Sequence, residues 1–382
     1  MSFKDSLSQF KFLSELYVQD APNAVLMTEY PSSNNFETQF QNRNKFIIHD
    51  PYPPPPIGLL KTLGPHHLMY GWGQHIPVTS DIKPPQILVE HWKRHLGDAG
   101  CPHWQSFDEK ACHITSFPFE TLSEEQQVIN PEAFYHLHSK QALEEIPCSQ
   151  AEVFDDIQFP CVMKLSHGYA GLGNFFINDQ NDFETARNYI NKQWPDAPIV
   201  INQRLTDIIG DYGVQFYLGR DGSITWIGFT KQIFDENNRW AGGSFCVDLQ
   251  DKLYDDFIKL AQPVAHYLHE HGYFGVAGID ILQNTKNEFF LVDLNPRLTG
   301  ATPFLIVSRL LINQGYKAGL YAASIDLSGT LEDIIDRIEK SQKTKMVILS
   351  AYQDPKSEKT KCHISINAQT VAECKQALSE LH

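Results

Sequence analysis

Apolar and polar residues recur with two different periods along the chain, and the switches between them mark its elements. Phe3, Leu7, Phe10, Leu13 and Tyr17 have helical spacing. Asn23–Thr28 and Phe46–Ile48 read as short strands on either side of a polar run. The all-but-unbroken prolines at 51–56 forbid regular structure and favour an extended polyproline segment. A helix is predicted over 87–100, ended by Gly97 or Gly100. Ser123, followed by Glu124, Glu125 and Gln126, fits a capping box. Pro160–Lys164 is a short apolar strand, and Phe175-Phe176-Ile177 starts another. Residues 181–194 form an amphipathic helix, capped by Asn181 or Asp182. Residues 199–205 read as a strand running into a linker, and 210–234 as a hairpin turning at Asp221-Gly222. Residues 234–245, with Gly242-Gly243, read as a flexible loop that closes over a site. A long helix over 253–272 is kinked or interrupted at Pro263. Two strands then surround Asp280 and Asp293, joined by the polar turn Gln283–Asn287. A helix over 301–314 follows, and the tail holds two helices and two strands.

Composition narrows the class. A chain of 382 residues has room for two or three domains with full cores. Hydrophobic content of 42% with 20% charged residues is ordinary for a globular protein. The net charge of −15 argues against nucleic-acid and anionic-membrane partners, which require a basic face. Seven scattered cysteines form no CxxC pair, so reduced thiols and a cytoplasmic location are expected. The chain has no apolar run of membrane-spanning length.

Three stretches carry candidate chemistry. Asp280 lies on one predicted strand, and Asp293 and Asn295 lie on one face of the next. Buried carboxylates side by side repel and lose solvation, which a divalent cation between them relieves. An all-oxygen set this small suits Mg²⁺, with Mn²⁺ as the alternative; the competing reading is a hairpin with solvated acids. Lys164 precedes the loop Ser166-His167-Gly168-Tyr169-Ala170-Gly171-Leu172-Gly173, whose glycines let backbone N–H groups approach phosphate. No Gly-Lys-Ser/Thr follows, and the next element starts as a strand, so neither a P-loop nor a dinucleotide fingerprint fits. His91 and His95 share one helix face, as a zinc pair or as hydrogen-bonded histidines.

In this order, a lysine strand, a glycine loop and a distant carboxylate–asparagine pair resemble the ATP-grasp superfamily. The carriers are Pro160-Cys161-Val162-Met163-Lys164, the loop after it, and Asp280 … Asp293-x-Asn295-Pro296-Arg297. Asp293 stands where that family has glutamate. The resemblance implies an α/β (α+β) ATP-grasp fold binding ATP, with an N-terminal α/β domain and a small C-terminal β/α appendix. Domains are expected at 1–122, 123–325 and 326–382, with a hinge near 202–207.

The resemblance also assigns roles. Lys140, Lys164, His167, Gly168, Gly171 and Gly173 would meet the phosphates. Gln203, Arg204 and Leu205 would hold the adenine, and Asp207 or Asp211 the ribose. Asp280, Asp293 and Asn295 would hold the metal. Lys231 and Arg297 would meet the acidic substrate or acyl phosphate. The activity implied is an ATP-dependent carboxylate–amine ligase acting on amino-acid or peptide-like substrates, in a chain that can pair as a homodimer. Bicarbonate activation, as in a carboxylase, and nucleotide binding without turnover are the alternatives.

Overall fold

A computed structural model describes residues 3–31, 40–49, 57–168, 173–236, 239–341 and 343–381. The polyproline run at 51–56 and Gly171 lie outside them. Among the described residues the strands form three sheets.

The first sheet is parallel and built from β1 (Ala24–Met27), β2 (Val78–Thr79) and β3 (Cys112–Ile114), in the order β2-β1-β3. All four residues of β1 are buried, as a parallel strand covered on both faces requires. The second sheet contains β4 (Cys161–Leu165), β5 (Asn174–Ile177) and β6 (Ile199–Gln203), antiparallel with β4 in the centre. Cys161, Met163 and Leu165 alternate onto one face and pack with Phe183, Ala186 and Ile190 of the helix Gln180–Gln193. That cluster is separate from the main core. The helix is capped by Asp179, which accepts from the N–H groups of Asn181 and Asp182, the two residues expected as caps.

The third sheet has eight strands: β7 (Ile208–Leu218), β8 (Ile224–Phe234), β9 (Trp240–Cys246), β10 (Gly275–Asn284), β11 (Phe289–Asn295), β12 (Ala318–Ser328), β13 (Lys345–Gln353) and β14 (Lys359–Ala368). Their order is β11-β10-β7-β8-β9-β12-β14-β13. The helix Val247–Glu270 covers it with Phe257, Ala261, Val264 and Leu268, and continues through Pro263.

Two expectations change here. Trp240–Phe245 is not a loop: it belongs to β9, paired with β8 and β12. Its glycines permit close strand approach, since a Cβ on Gly242 would fall 2.0 Å from the Tyr321 carbonyl oxygen. The C-terminal segment is not an appendix either. The boundary expected at 325/326 falls inside β12, which joins β9 to β14 in one sheet.

The N-terminus shares the same core. Phe3, Phe10, Leu13 and Tyr17 are buried with the residues of the large sheet. Arg309, on the helix Thr302–Ile312, donates to the carbonyls of Ser6 and Ile227 and lies over the Phe10 ring, so it is a structural anchor.

Candidate functional site

β10 and β11 pair so that Asp280 stands directly opposite Asp293. The row continues across the sheet, because Asp280 opposes Gly213 on β7 and Gly213 opposes Thr230 on β8. A residue without a side chain at 213 leaves space beside Asp280: a Cβ there would sit 3.5 Å from the Asp280 Oδ1. Asp211 lies two positions from Gly213, on the same face. The result is three acids on neighbouring strands rather than the two expected.

Their environments push them apart. Burial raises Asp280 to about 8, with Asp293 and Asp211 adding repulsion. Asp211 is raised to about 6, also by burial. Asp293 is lowered despite its burial, because Lys140 and Lys164 lie beside it. The Lys140 ammonium is bonded to the Asp293 Oδ1 and occupies the place of a cation. Gln232 donates to the Asp280 Oδ1 at 2.9 Å. Asn295 donates to the Asp280 Oδ2 at 3.3 Å and accepts from Arg297 at 2.8 Å. A site that protonates one acid and attracts a lysine to another suits a divalent cation, and its donors are all oxygen.

The lysines arrive from separate elements. Lys164 is on β4 and donates to the Val292 carbonyl at 2.8 Å. Burial lowers it to about 8, partly offset by Asp293. The Lys140 backbone donates to the Ser166 carbonyl at 2.9 Å, which ties its turn to the end of β4. Both lysines line a cleft with Ala151, Val153, Asn202 and Leu291.

The glycine loop leaves β4 and returns in β5. Gly168 and Gly173 form its neck: a Cβ on Gly168 would lie 3.1 Å from the Gly173 Cα. His167 does not lie open toward a phosphate. Its Nε2 donates to the Tyr135 carbonyl at 3.0 Å, and its ring stacks on Tyr135 at 3.8 Å. Burial lowers it to about 3, so it is neutral and packs the stem of the loop.

Other expected residues are placed differently. Lys231 is exposed. Strand alternation puts it on the face opposite Thr230 and Gln232, which both flank Gly213. Gln232 is the residue the sequence reading missed; nothing in its spacing marks it. Asp211 lies on β7 beside Asp280 and with the carboxylates, not on the linker. Gln203 donates its N–H to the Glu152 carbonyl at 2.7 Å. The Arg204 side chain turns out to Asn178 at 2.8 Å and lies over the Phe176 ring. Leu205 is half-buried on the linker. The cleft therefore meets this strand at Asn202, with Val153 across from it. Arg297 lies over the Phe117 ring, 5.0 Å from its centroid, so the stretch after β3 forms a wall beside the carboxylates.

The histidine pair resolves on hydrogen bonding. His91, His95 and Glu339 are close enough to share a metal. The Ile348 N–H donates to the His91 Nε2 at 3.0 Å, so the ring proton is on Nδ1, which meets Glu339 at 2.8 Å. Neither nitrogen of His91 keeps a lone pair for an ion, so the hydrogen-bonded reading fits His91, whereas both His95 ring nitrogens are buried with no hydrogen-bond partner among the described residues.

Comparison with known proteins bears on the same region. Residues 140–295 match a family model described as L-aspartate--L-methionine ligase, ATP grasp. The [Butirosin acyl-carrier protein]--L-glutamate ligase of Niallia circulans is 25% identical over 150 residues, 38% of this chain and 34% of the relative. The match thus spans about a third of that relative's length. N5-carboxyaminoimidazole synthetase from Staphylococcus aureus, complexed with ADP, superposes with a TM-score of 0.53 at 13% identity, over 82% of this chain and 93% of that one. Biotin carboxylase from Campylobacter jejuni gives 0.54 at 10% identity, over 94% and 90%. Identities this low speak to fold alone. The family match runs from Lys140 to Asn295, the two ends of the lysine–carboxylate constellation, so this stretch of the chain is similar to an ATP-grasp ligase family.

Proposed function

We propose that the chain is an ATP-dependent carboxylate–amine ligase working through an acyl phosphate. The observation that carries this is the convergence of Lys140, Lys164 and Arg297 on half-buried acids at one edge of the large sheet. Phosphoryl transfer needs positioning and charge stabilisation more than covalent chemistry from the protein. In this reading ATP enters the cleft lined by Lys140, Lys164 and Asn202. Lys140 leaves Asp293 for a phosphate, and Lys164 stays at the β4–β11 junction as a second phosphate partner. Asp280, Asp293 and Asn295 hold Mg²⁺, which supplies neutralisation of phosphate charge. Gln232 orients the Asp280 carboxylate. Arg297 presents a planar fork to the substrate carboxylate or its acyl phosphate. An amine then displaces phosphate and an amide forms.

The matched family makes aspartate and methionine the first substrates to supply, and the curated relative makes glutamate the next. Phosphate release is measured with ATP, Mg²⁺ and amino-acid pairs, and products are weighed by mass spectrometry. Amino-acid-dependent ADP with a condensed product supports the reading. Turnover triggered by bicarbonate alone, or nucleotide binding with no turnover, would replace it.

A further inference from the structure

We propose that His136, Glu145 and His271 form a binding site for a divalent transition metal of the zinc type, separate from the carboxylate site. The three come from different elements: the helix Pro131–Leu137, the short 3-10 turn Gln141–Glu145, and the residue after the helix Val247–Glu270. One ligand atom from each lies within 4.8 Å of the others. Two imidazoles and a carboxylate, with a side open to water, form a donor set that zinc accepts and magnesium does not favour.

Hydrogen bonding separates this cluster from the one at His91. The His271 Nδ1 meets the Tyr267 carbonyl at 2.8 Å. A carbonyl only accepts, so the proton is on Nδ1 and the Nε2 lone pair is available; a metal-bound histidine is commonly oriented this way. Tyr267 donates its hydroxyl to Glu145 at 2.9 Å, which positions that carboxylate. The His136 Nε2 faces both, at 3.2 Å from the Tyr267 hydroxyl and 3.4 Å from Glu145. The His136 ring is 42% exposed, so an ion reaches it from solvent.

Lys140 lies in the chain between His136 and Glu145. A metal there ties the turn carrying this lysine to the end of the long helix, and occupancy would stabilise the Lys140 arm.

The test uses the full chain with Co²⁺ and Zn²⁺ alone. The wild type is expected to bind one equivalent of Zn²⁺ by calorimetry and to give the visible bands of a four-coordinate Co²⁺ site. His136→Gln, His271→Gln and Glu145→Gln should each weaken binding at least about tenfold. Asp293→Asn should retain it, because the all-oxygen site is elsewhere, while Tyr267→Phe, which frees the Glu145 carboxylate, should weaken it less than loss of a ligand. The apo melting temperature of each variant checks folding, and exposed Glu145 decides if a histidine variant unfolds. Absence of Co²⁺ bands in the wild type, or wild-type affinity in Glu145→Gln and both histidine variants, overturns the proposal. Loss of binding in Asp293→Asn alone assigns the ion to the carboxylate site and overturns it too. These outcomes are independent of ligase activity.

Discussion

Lys140 and Asp293 lie 153 residues apart in the chain and form an ion pair across the cleft, with Lys140 buried. That pair changes the sign of a simple expectation. Two facing acids alone would gain stability when one is neutralised. Here Asp293 is the counter-charge of Lys140 and a neighbour of Lys164, so removing its charge leaves two ammoniums beside each other. Asp293→Asn should lower the melting temperature of the free protein, at a cost of about 1–3 kcal/mol. It should also reduce turnover about 100-fold by weakening the metal site. Differential scanning calorimetry and phosphate release check the two halves. A variant more stable than wild type would show that repulsion between Asp280 and Asp293 dominates.

Lys164 is expected to behave in the opposite way. Its ammonium is desolvated and held by one carbonyl, and burial already lowers its pKa to about 8. Lys164→Met keeps the volume and removes the charge. The free protein should be as stable as wild type or slightly more so, while ATP affinity drops by about tenfold or more. Calorimetric titration with ATP and Mg²⁺ measures this. Unchanged affinity would remove Lys164 from the nucleotide site.

What was legible in the sequence was local. Asp280 and Asp293 were readable as facing residues because period-two apolar neighbours bracket them and one polar turn joins their strands. Lys164 was readable for the same reason. Gln232 and Lys231 were not, because which of two successive residues faces the carboxylates depends on the pairing of β8 with β7, including a register shift between Gln215 and Phe216. Gly242-Gly243 suggested a loop, whereas those glycines admit the Tyr321 backbone between paired strands. The joining of β12 to β9 is a long-range pairing, and local pattern is silent on such pairings.

The buried histidines predict an acid-sensitive fold. Burial lowers His49, His66, His67 and His91 from 6.5 to about 4, and holds His138 and His363 well below 6.5. In the unfolded chain these rings titrate near their ordinary value. As pH falls through 6.5 the unfolded chain takes up protons that the folded chain refuses, so stability falls from there toward pH 4. Glu29, Asp211 and Asp280 are raised to about 7, 6 and 8 and act in the opposite direction, but they are fewer. The melting temperature should drop by about 5 °C or more between pH 7.5 and 5.5. His66→Gln should make the dependence shallower. A melting temperature that rises on acidification would show that the raised acids outweigh the histidines.

The neck of the glycine loop supplies the last prediction. The Gly173 backbone carbonyl accepts from the Leu165 N–H at 2.9 Å, and the Gly168 N–H returns to the Leu165 carbonyl at 3.2 Å. A Cβ on Gly173 would lie 3.0 Å from the Gly168 Cα and 3.0 Å from the Leu165 Cβ. Those neighbours are backbone and strand, which do not swing aside like a side-chain tip. Gly173→Ala must therefore widen the neck or shift the start of β5, at about 1–3 kcal/mol. If the loop covers the phosphates during reaction, a widened neck admits water to the acyl phosphate. Gly168→Ala and Gly173→Ala should then lower amide formation about tenfold while raising the phosphate released per amide formed. The readout is the ratio of the two products, which a uniform loss of folded protein leaves unchanged. A wild-type ratio in both variants, with activity lost or kept, would confine the neck to a structural role.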